Sequence, residues 1–366
     1  MNQLYHLNPD GYRPHPPTKH DYGIGIVGCG GIVMNAHLPA YQQFGYWVVA
    51  CCSRRIEAVE KAQQTYNIPL GGTDLAVVLD NPDVQIVDLA VHANQRLLLI
   101  EKIAAAGKHI LSQKPLAMNV ADAARMVEIC QQAGVQLMVN QQARWAPAHR
   151  AIKMLLERGA IGHLYSVMHI HRGFQDEPGS WYAALENFNI VDHGIHYIDL
   201  CRYFTGQTPI CVKATTATVP GQAAVSPMIY TINCEYKPED GGVNQSDTAQ
   251  SNTIQSDAVL MSTLHFNNIV SAYQTHNYAW YLDGTEGSLI ASHNEVILYR
   301  ADSDKRTVIE IEGSWFPEAF GGSMGEMMLA LHEEREPMSS GRDHLHSIKI
   351  AYAAVESSTS GEAVTL

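Results

Sequence analysis

From Gly23 to Asn140, short apolar runs alternate with amphipathic stretches. Gly23–Val27, Trp47–Cys52, Gln85–Val91, His109–Ser112 and Gln136–Asn140 read as buried strands. Between them, Ile32–Gln43, Ile56–Tyr66, Leu97–Ala106 and Ala121–Ala133 carry helical spacing. The last two stop at Gly107 and Gly134, residues suited to a left-handed cap. Such alternation predicts a parallel sheet covered on both faces, with ligands beyond the carboxyl ends of its strands. After Asn140 the pattern changes. Pro147–Arg158 predicts a helix. Leu164–Arg172, Ile210–Thr218, Met228–Tyr236, Val259–Phe266, Ile269–Asn277 and Leu289–Arg300 alternate apolar and polar positions, which predicts an antiparallel sheet with one buried face. Ile190–Tyr203 interrupts them as a helix, and Gly325–Arg335 and His344–Ser357 return to helix at the end. Lys237–Asp257 is polar and rich in Gly, Asn, Gln and Ser, and predicts a long exposed loop. The reading is an α/β domain over 22–142 followed by an α+β domain over 143–366.

The first strand meets the first helix in Tyr22-Gly-Ile-Gly-Ile-Val-Gly28-Cys29-Gly30-Gly31-Ile32. Glycine lets a backbone turn tightly and approach a diphosphate, and the following helix N-terminus favours that anion. Val33 stands at the third glycine position, so the dinucleotide fingerprint is incomplete. Composition narrows the partners. The formal net charge of −13 argues against nucleic acid and against an anionic membrane surface. No apolar run reaches the length of a membrane span. Residues 1–21, with Pro9, Pro14, Pro16 and Pro17, predict an extended arm, either disordered or laid on a neighbouring subunit. Seven cysteines without a paired C-x-x-C spacing fit reduced thiols in the cytoplasm.

Three further clusters carry chemistry. The second strand ends Ser53-Arg54-Arg55, with no carboxylate for a ribose 2′-hydroxyl. Ser53 can bond a hydroxyl or a phosphate, and Arg54 or Arg55 can pair with a phosphate, which leans toward NADP over NAD. Lys114-Pro115 follows a strand on the ligand side, where an amine can stabilise negative charge on a substrate oxygen. Asp192-His193-Gly194-Ile195-His196-Tyr197-Ile198-Asp199 reads as helix, and Asp192 and His196 share a face. A neutral imidazole suits proton removal from an alcohol, with Asp192 or Asp199 placed to orient it. Metal ligation is not expected, because ligands on one helix at these spacings converge poorly. His169 and His171 share a strand face as pocket or structural residues.

Taken together, Gly28-Cys-Gly30-Gly31-Ile32, Lys114-Pro115, Asp192-x-x-x-His196-x-x-Asp199, Trp315-Phe-Pro-Glu-Ala-Phe and Ser340-Gly341-Arg342-Asp343 resemble the glucose–fructose oxidoreductase / inositol dehydrogenase / MocA family over residues 22–366. The resemblance implies a Rossmann domain and an open, mostly antiparallel sheet domain with the active site between them. It implies hydride transfer between NAD or NADP and a secondary alcohol of a sugar or cyclic polyol. Lys114 would contact the reacting oxygen, Asp192 would position the substrate and His196 would relay the proton. Gly28, Gly30, Gly31, Ile32, Ser53, Arg54, Asn94 and Lys114 would hold the cofactor. The open sheet would form a homodimer or homotetramer. The chain departs from the family at Gln113, where glutamate is usual, at His92-Ala93 in place of Thr-Pro, at Leu97, and at Asn187–Val191, where glycines are common. Arg144, Trp145, Arg172, Trp181 and Tyr182 are candidates for the substrate wall, and Arg172 would meet the carboxylate of a sugar acid. Two other readings differ in class: glycoside cleavage through transient oxidation by tightly bound NAD, and a non-catalytic nucleotide sensor.

Overall fold

A computed structural model describes residues 7–237 and 260–366 of the 366-residue chain. Most of the predicted loop over Lys237–Asp257 lies outside the described residues. Among those described, β1 (Ile24–Val27), β2 (Val48–Cys52), β3 (Leu70–Gly72), β4 (Ile86–Leu89), β5 (His109–Ser112) and β6 (Leu137–Val139) form a parallel sheet. Their order is β3-β2-β1-β4-β5-β6, the doubly wound arrangement. β1 and β4 are adjacent although three crossovers separate them in sequence, so a crevice opens where the winding reverses. The glycine turn after β1 and the lysine turn after β5 both lie at that carboxyl edge.

The second sheet contains β7 (Leu164–Arg172), β8 (Cys211–Ala217), β9 (Ile229–Glu235), β10 (Met261–Asn267), β11 (Asn277–Gly284), β12 (Gly287–Ala291), β13 (Glu295–Arg300), β14 (Arg306–Glu310) and β15 (Val364–Thr365). Its order is β14-β13-β12-β11-β7-β10-β9-β8-β15. Pairing is antiparallel except between β7 and β10. One face packs on the helices Pro147–Glu157, Ile195–Thr205 and Gly341–Ser360 through Tyr197, Phe204, Trp280, Leu282, Phe266 and Ala354.

The structure corrects several expectations. Ile269–Asn277 is not a strand: a short 3-10 turn at Tyr273–Thr275 carries the chain to β11, and Tyr273 is exposed. Its alternation lacks an inward partner, whereas Trp280 and Leu282 of β11 are buried. Leu289–Arg300 divides into β12 and β13 at a turn closed by Ser292 N–H on the Glu295 carbonyl. The arm does not stand free of its own chain over 7–20. Pro9–Tyr12 is a helical turn, Tyr12 is buried in the second domain's core, and its hydroxyl accepts from Glu312 N–H at 3.1 Å.

The helix expected from Gly325 begins at Glu318 and runs to His332. Glycine's poor helix propensity hides that start. Its small residues serve close approach: a Cβ at Gly321 would stand 2.6 Å from the Phe44 ring, and one at Gly325 would stand 2.7 Å from the Tyr46 hydroxyl. Phe320, Met324, Met327 and Met328 thereby complete the core of the first domain, together with Ile24, Ile26 and Leu38. Ser339 and Ser340 then bond to β6 before the last helix. The 143–366 unit therefore supplies part of the first domain's interior.

Candidate active site

The turn after β1 is built for close approach. Gly28 has φ +104°, and a Cβ there would meet the Ala90 carbonyl at 2.6 Å. At Gly30 and Gly31 a Cβ would meet nothing within 4 Å, so their bareness leaves an open cradle rather than relieving an internal clash. Ile32 sits in the first helical turn, 40% exposed, while Val33 is buried in place of the third glycine. A cavity of about 350 Å³ lies against the loop, lined by Gly30, Gly31, Asn35, Arg55, Glu57 and Lys61 among others. Arg55 lines it, and Arg54 is exposed outside its lining. Ser53 is half-buried at the end of β2, and Asn94 is exposed on the 3-10 turn after β4. At the end of β6, Asn140 is 1% exposed, yet neither polar atom of its side chain has a partner. A bare cradle at a helix N-terminus, cations at the far wall and an orphaned amide in the crevice fit a dinucleotide.

The lysine turn is held from two sides. The Lys114–Pro115 peptide is cis. Behind it, Arg96 is 3% exposed, and among the described residues no carboxylate hydrogen-bonds it. Its guanidinium donates to the carbonyls of Gln113, Pro115 and Lys114, and twice to Val91, at 2.9 and 2.7 Å. Burial pushes Arg96 down to about 9, which leaves it charged near neutrality. On the other side, Gln113 accepts from Lys114 N–H at 3.2 Å and donates to His37 Nε2 at 2.7 Å. His37 Nδ1 donates to Asp88 Oδ2 at 2.6 Å, which also accepts from the Tyr41 hydroxyl at 2.8 Å. With its backbone fixed, Lys114 projects across the cleft. Its Nζ donates to Asp192 Oδ1 at 2.7 Å and to the Asp192 carbonyl at 3.0 Å.

Asp192 lies in a π turn, Phe188–His193, that runs into the helix Ile195–Thr205. Its carboxylate engages Lys114 rather than His196. Nor does Asp199 hold His196, since Asp199 is sealed against Arg144 and Ser347. Instead His196 Nδ1 donates to Gln141 Oε1 at 2.9 Å, which leaves Nε2 with its lone pair. Burial first, then the charge of Lys114 and nearby imidazoles, holds His196 well below the usual histidine range. The imidazole is therefore neutral and able to accept a proton. The structure thus brings Lys114, Asp192 and His196 to one edge of the cleft, with Gln141 as the orienting group.

Three wall candidates fail on contact. Arg144 is 5% exposed, and its guanidinium is committed to Asp199 at 2.7 and 2.8 Å, Asp343 at 2.5 Å and the Met338 carbonyl. Trp145 is buried under the Glu318–His332 helix. Arg172 lies on the sheet face opposite His169 and His171, which pack on Tyr197, and it donates to Thr275. Trp181 does reach the cleft: it is 55% exposed, with its ring 4.9 Å from His92 of the first domain. Tyr182 stacks on Phe188 at 4.2 Å. His169 is fully buried among Tyr197, Tyr278 and Trp280, a structural position. Among the described residues, no group of His, Cys, Asp or Glu is placed to hold a metal ion. Sequence reasoning missed Arg96, His37, Asp88 and Gln141. The buried amide run Asn140-Gln141-Gln142 just past a strand was a signal for the last.

The fold and this edge define a two-domain, dinucleotide-binding oxidoreductase. Residues 22–141 match the NAD-binding Rossmann-fold domain of the oxidoreductase family, and residues 149–290 match the GFO/IDH/MocA C-terminal domain. The chain belongs to the glucose–fructose oxidoreductase / inositol dehydrogenase / MocA family. It is 27% identical to D-apiose dehydrogenase of Paraburkholderia graminis over 93% of this chain and 88% of that protein. It is 24% identical to levoglucosan dehydrogenase of Pseudarthrobacter phenanthrenivorans over 83% of this chain and 85% of that protein. A solved oxidoreductase from Agrobacterium radiobacter, in complex with NAD+, L-tartaric acid and magnesium, superposes with a TM-score of 0.79. That match has 23% identity and covers 94% of this chain and 98% of the other, a likeness of fold.

Proposed function

We propose that this protein oxidises or reduces a secondary hydroxyl carbon of a sugar, sugar derivative or cyclic polyol with NAD or NADP. The observation that carries this reading is the contact of the Lys114 amine with the Asp192 carboxylate, together with a His196 imidazole that feels the Lys114 charge and spends only its Nδ1, on Gln141. Gly28, Gly30, Gly31 and Ile32 would hold the diphosphate, Ser53 and Arg55 the adenosine end, and Asn94 and Lys114 the end near the reaction. When bound, the nicotinamide supplies the acceptor or donor of a hydride. Lys114 Nζ hydrogen-bonds the substrate oxygen and stabilises charge that develops on it. His196 Nε2 takes the hydroxyl proton in oxidation and returns it in reduction. Asp192 anchors Lys114 and accepts from a neighbouring substrate hydroxyl. Trp181, exposed at the cleft, offers an aromatic face to sugar C–H groups. The apiose and levoglucosan dehydrogenases support the substrate class.

The reading extends to assembly and compartment. On the outer face of the second sheet, Met168, Tyr281, Ile290, Ile297 and Val308 are direct cross-strand neighbours, an apolar row over which no helix packs among the described residues. Such a row supports a homodimer or homotetramer through this sheet. Seven free cysteines, six of them buried, support a reducing compartment such as the cytoplasm. Among the described residues, no helix is long and apolar enough to cross a membrane. The test is a panel of aldoses, anhydrosugars and inositols with NAD and with NADP, read by reduced-cofactor absorbance. The expected result is stoichiometric reduction with at least one polyol, abolished in Lys114→Met. Product without net cofactor reduction points to glycoside cleavage instead, and cofactor binding with no product refutes both.

A further inference from the structure

We propose that His37 is a positioning residue for Lys114, acting through Gln113, and that glutamine stands at 113 because His37 presents it with an unprotonated nitrogen. The inference rests on Lys114 being the substrate-facing amine. The argument is one of donors and acceptors. Asp88 Oδ2 accepts from the Tyr41 hydroxyl, and as an acceptor it places the hydrogen of the 2.6 Å contact on His37 Nδ1. Lys114 N–H needs an acceptor and takes Gln113 Oε1, so the Gln113 amide turns its NH2 to His37 Nε2, 2.7 Å away, which must accept. A flipped amide would set oxygen against a lone pair and nitrogen against an N–H. The orientation is thus fixed along the whole line from β4 to the lysine turn.

The line is sealed. His37 and Asp88 have no exposed surface, and Gln113 is 7% exposed. The groups that face His37 are the Asp88 carboxylate, the Tyr41 phenol, the neutral Gln113 amide and the Phe320 ring, 4.9 Å away. Bulk water does not reach these groups, so a mismatch is costly and favours moving the turn or adding a proton. Arg96 holds the carbonyls of the same turn from behind. The N–H edge therefore depends on Gln113, and Gln113 depends on the proton position at His37. A glutamate at 113 has no hydrogen to give. Its contact survives only if Nε2 gains a proton, making an imidazolium between two carboxylates. Otherwise the carboxylate retreats and the lysine turn loosens.

The test uses the full chain with Gln113→Glu, His37→Asn and Lys114→Met. Nitrogen-15 NMR of the imidazoles, with His37 assigned by its loss in His37→Asn, should show an Nδ1-protonated neutral ring in the parent. The same ring should be doubly protonated in Gln113→Glu, or the reductive methylation rate of Lys114 should rise several-fold. Turnover on the polyol that the substrate panel identifies should fall between about ten- and a hundredfold with cofactor affinity unchanged, the cost of a displaced reacting group. Adding Asp88→Asn to Gln113→Glu supplies a donor to His37 Nδ1, which lets Nε2–H face the carboxylate, and should recover part of the loss, a coupling that a packing role would not give. If Gln113→Glu fails to fold, Gln113→Asn, uncharged and one methylene shorter, should show the faster methylation and the same split. Parent-like imidazole signals, lysine reactivity and turnover in Gln113→Glu overturn the proposal. Full turnover in Lys114→Met overturns the functional reading instead, and leaves the NMR and methylation results to judge the line by themselves.

Discussion

Mild acid should weaken this fold without silencing its proton acceptor. Burial pushes His149 down to about 3, and pushes His171 and His344 down to about 4. His169, His193 and His196 lie well below the usual range for the same first cause. A histidine free in the unfolded chain titrates near about 6.5. Between about pH 7 and about pH 5 the unfolded chain therefore binds protons that the folded chain refuses, and stability falls as pH falls. Each such imidazole then costs about 2 kcal/mol over that window. The three with stated values together cost about 6 kcal/mol, a large part of the roughly 5–15 kcal/mol that holds an ordinary domain. Unperturbed carboxylates titrate below the window and contribute little to it. Urea unfolding at pH 7, 6 and 5, followed by tryptophan emission from the region of Trp280 and Trp315, measures the slope. The loss should be steepest below about pH 6.5. His149→Gln should remove about 2 kcal/mol of the difference between the end points. Over the same window, kcat/KM for oxidation by folded enzyme should not show the loss of a neutral His196. A flat unfolding midpoint from pH 7 to pH 5 would refute the reasoning.

Lys114→Met keeps the turn, which Arg96 and Gln113 hold through the backbone, so cofactor binding should stay largely intact, losing only the contact at its reactive end, while kcat falls by roughly 10²–10³. Asp199→Asn strips the bidentate partner from a buried arginine and should destabilise the chain by about 3–5 kcal/mol in urea unfolding. Arg55→Ala removes a cation from the cavity wall beside β2 and should weaken NADP binding by about tenfold, with a smaller effect on NAD, as measured by fluorescence titration.

The parallel sheet was legible because each strand is a short apolar run and each helix carries its own period. Gly28 was legible because its turn needs a conformation that other residues avoid. Lys114, Asp192 and His196 were singled out by position relative to strands and by helical spacing, both local properties. What escaped depends on contacts distant in sequence. Arg144 reads as a free cation until Asp199 and Asp343 come to meet it. Asp192 and His196 share a helix face, yet their partners come from β5 and β6, and no local spacing records Lys114 or Gln141. The Glu318 helix was hidden because its glycines are selected for close packing against Phe44 and Tyr46, not for helix propensity.

That last helix has a consequence for synthesis. The nucleotide-binding half is translated first, but Phe320, Met324, Met327 and Met328 arrive only near the end. Until residues 318–332 leave the ribosome, Leu38, Tyr41 and Phe44 border an unfilled hollow on the nascent chain. A fragment ending at residue 142 would keep that greasy flank permanently. It should be recovered in inclusion bodies, and co-expressing the missing segment should bring it back into solution.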